Sequence, residues 1–135
     1  VGRAYRKASS NNAEKFLDYV LQQVPFRIES IQVDGGSEFM GHFEKACKEK
    51  GIPLFVLPPR SPKMNAFVER GNGTIKQEFY ARYDKCNNLE TINANLERYK
   101  RFYNVVRPHA GLKSLSPMEY FQQQRWAQSL TAKAL

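Results

Sequence analysis

Two acids, Asp34 and Glu69, stand in surroundings that suit divalent-cation and phosphate chemistry. Asp34 closes the alternating run Ile28-Glu29-Ser30-Ile31-Gln32-Val33, and Gly35-Gly36 follow it as a sharp turn. A carboxylate at the C-terminal end of a strand sits where open α/β sheets place their ligands. Glu69 lies in a stretch where Asn65, Glu69, Asn72 and Lys76 recur one helical turn apart. One carboxylate among amides and a lysine makes a metal- and phosphate-binding face, although the same spacing also describes an ordinary solvated face. The 34 residues between the two acids leave room for a helix, a short strand and a loop. Such a path can return Glu69 to the end of the first strand, where both carboxylates could bind one cation.

The elements that must position these acids follow from their flanks. Pro58 and Pro59 end whatever precedes them. Ser61-Pro62 reads as an N-cap and first-turn proline, opening a helix whose buried side carries Val68, Ile75 and Phe79. Upstream, the spacing predicts a helix over Ser37–Lys50 with Phe39, Phe43, Ala46 and Cys47 inward, ended by Gly51. Pro53–Leu57 reads as a short buried strand. Val1–Lys7 reads as the tail of a strand. Ser9, Ser10, Asn11 and Asn12 offer N-caps for a helix with Ala13, Phe16, Leu17, Val20, Leu21 and Val24 on one face, stopped by Pro25. Asn88 caps another, with Leu89, Ile92, Leu96, Tyr99 and Tyr103 repeating. Ser116-Pro117-Met118-Glu119 is a capping box that opens a last helix, and residues after Trp126 read as tail.

Four segments carry a resemblance: V-D-G-G-S-E-F at Val33–Phe39, S-P-K-M-N-A-F-V-E-R at Ser61–Arg70, Y-N-x-x-R-P-H at Tyr103–His109 and S-P-x-E-Y at Ser116–Tyr120. In this order they resemble the integrase catalytic core shared by retroviral integrases and the transposases of bacterial insertion sequences, the Asp-Asp-Glu group. The Arg-Pro-His and Ser-Pro-x-Glu-Tyr segments point to the bacterial branch. The resemblance implies an α/β, ribonuclease-H-like integrase core, entered here at its third strand. The core would span residues 1–122 and a C-terminal tail 123–135.

The resemblance further implies strand cleavage and strand transfer on DNA with two Mg²⁺ (or Mn²⁺) ions. In the family a first aspartate bridges both ions. Asp18 is the sole aspartate before Asp34 and lies mid-helix beside Leu17, Tyr19 and Val20, so it cannot take that role. By motif position, Asp34 would hold one ion and Glu69 the other, with the chain inactive by itself. Lys76 matches a basic residue set against DNA phosphate, Asn65 would orient water or phosphate, and Arg60, Lys63 and Arg70 would hold DNA beside the catalytic loop. Implied partners are transposon-end and target DNA and a second copy of the chain, in the bacterial cytoplasm. Without the family's first strand, Ile28–Val33 would keep a bare edge, leaving Val1–Lys7 either exchanged with another copy or disordered.

Composition agrees with a nucleic-acid partner. The net charge of +8 on 135 residues favours polyanions, and no apolar run reaches membrane-spanning length. Signal and transit patterns are absent. Cys47 and Cys86 lack metal-ligand spacing and suit a reducing compartment; His42 and His109 are isolated. Glu38 reads as a first-turn acid or as a group near the metal. Arg107 and His109, around Pro108, read as a structural clamp with Arg107 pairing an acid such as Glu119. A non-catalytic nucleic-acid-binding or assembly module with the same basic surface is the alternative to the enzyme.

Overall fold

A computed structural model describes the backbone of residues 1–58, 62–83 and 88–132. Residues 3–92 form one compact body, and the described residues from 93 onward form a second.

The first body is built on a short parallel pair of strands. β1 (Ile31–Val33) pairs with β2 (Leu54–Val56) in the register Ile31 to Leu54, Gln32 to Phe55 and Val33 to Val56. Two further bonds extend the ladder: Ile31 N donates to Pro53 O at 2.9 Å and Leu57 N donates to Val33 O at 2.8 Å. β1 is shorter than the alternating run Ile28–Val33. Pro53 has no N–H to donate, and Gly51 before it sits at φ +65° closing a helix, so Ile28 packs against the core without a ladder partner.

α1 (Ser10–Gln23) and α2 (His42–Glu49) contribute to one core in which Leu17, Val33, Phe43, Ala46, Cys47 and Ile52 are buried together. α1 opens as its sequence demands, with Ser9 in extended conformation accepting from Asn12 N, and it stops at Val24 before Pro25. The helix expected over Ser37–Lys50 is divided. Ser37–Phe39 is a single 3₁₀ turn, Met40 is extended, and Gly41 adopts φ +66°, which an α-helix cannot contain. The inward residues Phe43, Ala46 and Cys47 are nonetheless those expected. α2 ends in a Schellman pair, Ile52 N to Cys47 O at 2.9 Å and Gly51 N to Lys48 O at 3.1 Å.

Val1–Lys7 is not a strand; among the described residues β1 pairs with β2 alone. The segment lies against α1 instead. Tyr5 stands edge-on to Phe16 with ring centroids 6.4 Å apart, and the Arg3 guanidinium sits 5.0 Å from the centre of the Tyr19 ring.

α3 (Pro62–Ile75) runs on through a π-helical turn, Lys76–Tyr80, and a last turn, α4 (Ala81–Tyr83). Its expected cap, Ser61, lies outside the described residues. Val68 departs from the expected buried side at 56% exposure, whereas Phe79 is fully buried. Burial on this helix therefore belongs to its C-terminal part.

α5 (Leu89–Arg101) is capped by Asn88, whose Oδ1 accepts from Glu90 N at 2.8 Å. In the second body a π turn (Phe102–Val106) follows, and the Arg107-Pro108-His109 loop ends it. Arg107 can only donate and the Tyr103 carbonyl only accept. His109 Nδ1 therefore accepts from Arg107 Nη1 at 3.2 Å, and Nε2–H donates to Tyr103 O at 3.2 Å. The His109 ring meets the Tyr103 ring at 4.6 Å, edge to face. The clamp is structural, as expected, but built on His109 and Tyr103. Glu119 serves elsewhere: its Oε2 accepts from both Ser116 N and Ser116 Oγ at 2.8 Å, completing the capping box of α6 (Pro117–Ala132). Helix α6 runs past Trp126, so the segment read as tail is helical through Ala132.

The two Ser116 hydrogen bonds hold the Glu119 carboxyl below its ordinary range, the backbone bond contributing most. A lowered folded value means that the stabilisation is complete above the free-glutamate pKa and is lost as pH falls through the lowered one. Thermal unfolding followed from about pH 6 down to about pH 3 should therefore show a steeper decline for the parent than for Glu119→Gln, which keeps the acceptor but does not titrate. Equal declines would remove Glu119 from the acid response.

Candidate metal and nucleic-acid site

Strand alternation decides where Asp34 goes. Val33 is buried, its carbonyl is bound to Leu57 N, and the next side chain must face the other way. Asp34 is accordingly exposed at the C-terminal end of β1. An Asx turn fixes its neighbourhood, Oδ1 accepting from Gly36 N at 3.3 Å. Glycine at 36 also leaves room for Glu38 to fold back, because a Cβ there would stand 2.8 Å from Glu38 Oε2.

Glu69 is exposed on α3, as are Arg70, Asn72 and Lys76. The seven-residue step from Glu69 to Lys76 completes about two α-helical turns, so the two side chains share a face. The structure thus keeps the expected Glu69-Asn72-Lys76 face in water, in the same body as Asp34. Lys63 and Asn65 lie in the first turns of α3, their side chains outside the described set, and Arg60 lies outside the described residues. Among the described residues no three His, Cys, Asp or Glu side chains gather into a metal-binding group. The two acids expected at the site, Asp34 and Glu69, are both exposed hard oxygen donors. That set fits a cation that takes its other ligands from water or phosphate, such as Mg²⁺ or Mn²⁺.

The remaining titratable candidates have structural employment. Asp18 Oδ1 pairs with Lys50 Nζ at 2.8 Å, and that hydrogen bond raises the Lys50 ammonium above its ordinary value. Asp18 therefore ties α1 to the end of α2. Burial pushes the Cys47 thiol up, which keeps it protonated and inert; Cys86 lies outside the described residues. Among the described residues no helix is long and apolar enough to cross a membrane.

One positioning residue was not singled out in the sequence. α2 begins at Gly41, which has no side chain to cap it. Ser10, the first residue of α1, supplies the cap: its hydroxyl accepts from Phe43 N at 3.0 Å and donates to Met40 O. The connection from Asp34 to Gly41 is thereby pinned at its far end by another helix. The signal was present as a surplus, since four cap-type residues, Ser9 to Asn12, precede a helix that needs one.

Residues 50–117 match the family described as Integrase core domain. A putative transposase InsK for the insertion sequence element IS150 of Escherichia coli K12 is 30% identical over 116 residues, 84% of this chain and 40% of that protein. An uncharacterized 39.2 kDa protein of insertion element IS476 from Xanthomonas euvesicatoria is 25% identical over 104 residues, 76% of this chain and 30% of that protein. The chain spans between 30% and 40% of the length of the curated relatives it matches. The crystal structure of the catalytic core domain of BIV integrase superposes with a TM-score of 0.68 at 19% identity, covering 93% of this chain and 78% of that one. The fold is thus the α/β, ribonuclease-H-like fold of integrase cores.

Ser10→Ala should lower stability by about 0.5–2 kcal/mol, the usual cost of losing a helix cap, read from urea unfolding. An unchanged midpoint would show that the cross-helix cap holds nothing in place.

Proposed function

The chain belongs to the integrase core domain family, and we propose that it forms part of a DNA transposition or integration enzyme, supplying Asp34 and Glu69 as two of its cation-binding carboxylates. The observation that carries this is the exposed Asp34 at the end of β1 together with the exposed Glu69-Asn72-Lys76 face of α3 in the same body. The likeness to insertion-sequence proteins supports the same reading.

Each residue then has a task. Asp34, on a turn fixed by its bond from Gly36 N, and Glu69, on α3, would hold Mg²⁺ or Mn²⁺. When bound, a pair of such ions neutralises charge on the attacking and leaving oxygens. Lys76, on the Glu69 face, contacts the DNA backbone and so fixes the strand without reading sequence. Arg70 is exposed next to Glu69; by motif position Lys63 and Arg60 would also hold DNA, and Asn65 would orient phosphate or water. The partners are transposon-end and target DNA and a second copy of the chain, in a bacterial cytoplasm.

Supercoiled plasmid incubated with the purified chain and Mg²⁺ or Mn²⁺ is expected to stay uncut, because neither Asp34 nor Glu69 supplies the ligand that joins two ions. Cutting that Glu69→Gln abolishes would show that other acids of this chain complete the site.

Duplex DNA should bind without sequence preference and with a steep salt dependence. Replacing Lys76 by alanine should flatten the slope of log K against log salt by about 0.9, one phosphate contact. An unchanged slope would take Lys76 off the DNA.

A further inference from the structure

A groove of about 280 Å³ lies between the N-terminal segment and α1, within the first body. Arg3, Tyr5, Lys7, Asn12, Phe16 and Glu38 line it. Its chemistry is divided in a way that neither a core remnant nor a plain basic surface requires. Tyr5 and Phe16 meet nearly at right angles, 83° between their planes, so two aromatic surfaces form a corner. Arg3 and Lys7 bring positive charge to the same groove, and α1 has no acidic residue in its first turn to offset it. Asn12 ties this edge together, its Nδ2 donating to Lys7 O at 2.9 Å.

The size limits the occupant. The groove is open, and its volume of about 280 Å³ is close to the lower end of the roughly 300–1,000 Å³ of pockets that enclose small ligands, so part of a longer molecule can lie in it. An aromatic corner beside paired cations suits a flat base with its phosphate. Aromatic side chains stack on any base, and positive grooves track the backbone of single strands. A base inside a duplex is already stacked on its neighbours and cannot enter; only an unpaired one can.

We propose that this groove seats one unpaired nucleotide of single-stranded DNA, the base against Tyr5 and Phe16 and its phosphate on Lys7 and Arg3. The inference rests on the DNA reading above, yet it concerns residues apart from Asp34, Glu69 and Lys76. Glu38 also lines the groove, so the phosphate would sit on Lys7 and Arg3 away from that carboxylate.

The test is fluorescence anisotropy of the whole chain with a labelled twelve-nucleotide oligothymidylate and, in parallel, a duplex of the same length. Tyr5→Ala should weaken single-strand binding about tenfold, within the range for losing one stacked base, and leave duplex binding unchanged. Tyr5→Phe should restore it, which separates stacking from loss of packing. Lys7→Ala, at an exposed position, should flatten the single-strand salt slope by about 0.7. Single-strand affinity and slope unchanged in both Tyr5→Ala and Lys7→Ala would overturn the proposal. So would equal weakening of single strand and duplex by Tyr5→Ala. A failure of the DNA reading itself would look different, because the parent chain would then bind neither oligonucleotide.

Discussion

The pairing of β1 with β2 through Val33 is the constraint on which the site depends. Val33 is fixed three ways: it lies opposite Val56, its carbonyl accepts from Leu57 N, and its side chain is buried among Leu17, Phe43 and Cys47. A slip of one residue would turn Val33 outward and Asp34 inward, burying an unpaired carboxylate at a cost the small core could not offset. Register and site are thus one property. The Ser10 cap and the Asp18–Lys50 pair act on the same arrangement, since each holds α1 against the segment between β1 and β2.

The α3 helix solves a second problem, keeping Lys76 in water while Phe79 is fully buried. Three residues of an α-helix sweep about 300°, which leaves positions 76 and 79 only about 60° apart. The π turn over Lys76–Tyr80 is wider and spreads them. A lysine that stays on the face of Glu69, beside an aromatic anchor that does not, is the result. π turns of this kind are uncommon and cluster at functional positions.

Much of this was legible in the sequence, for identifiable reasons. Capping boxes, prolines and C-terminal glycines are local signals, and Ser9, Asn88, Ser116 and Gly51 behave as their types require. The inward set Leu17, Val33, Phe43, Ala46 and Cys47 followed from periodicity. Periodicity also misled. It ran Ser37–Lys50 together as one helix because Gly41 falls at a position where the apolar spacing survives a break. It assigned Val68 to a core that the helix reaches only near Phe79. Strand length was overestimated at Ile28 because alternation says nothing about whether Pro53 can answer it. The π turns and the cap from Ser10 depend on contacts between elements, which no spacing along the chain reports. For the site, Asp34 and Glu69 were proposed from residue type and motif, and both are exposed.

The central claim is the proposal that Asp34 and Glu69 are both cation-binding carboxylates. Paramagnetic broadening by Mn²⁺ in amide NMR spectra tests it most directly. The account predicts selective loss of signals around Asp34–Gly36 and around Glu69, with Asp34→Asn abolishing the first set and Glu69→Gln the second. Broadening that appears at only one of the two segments, or that survives at a segment whose own carboxylate has been removed, would contradict it.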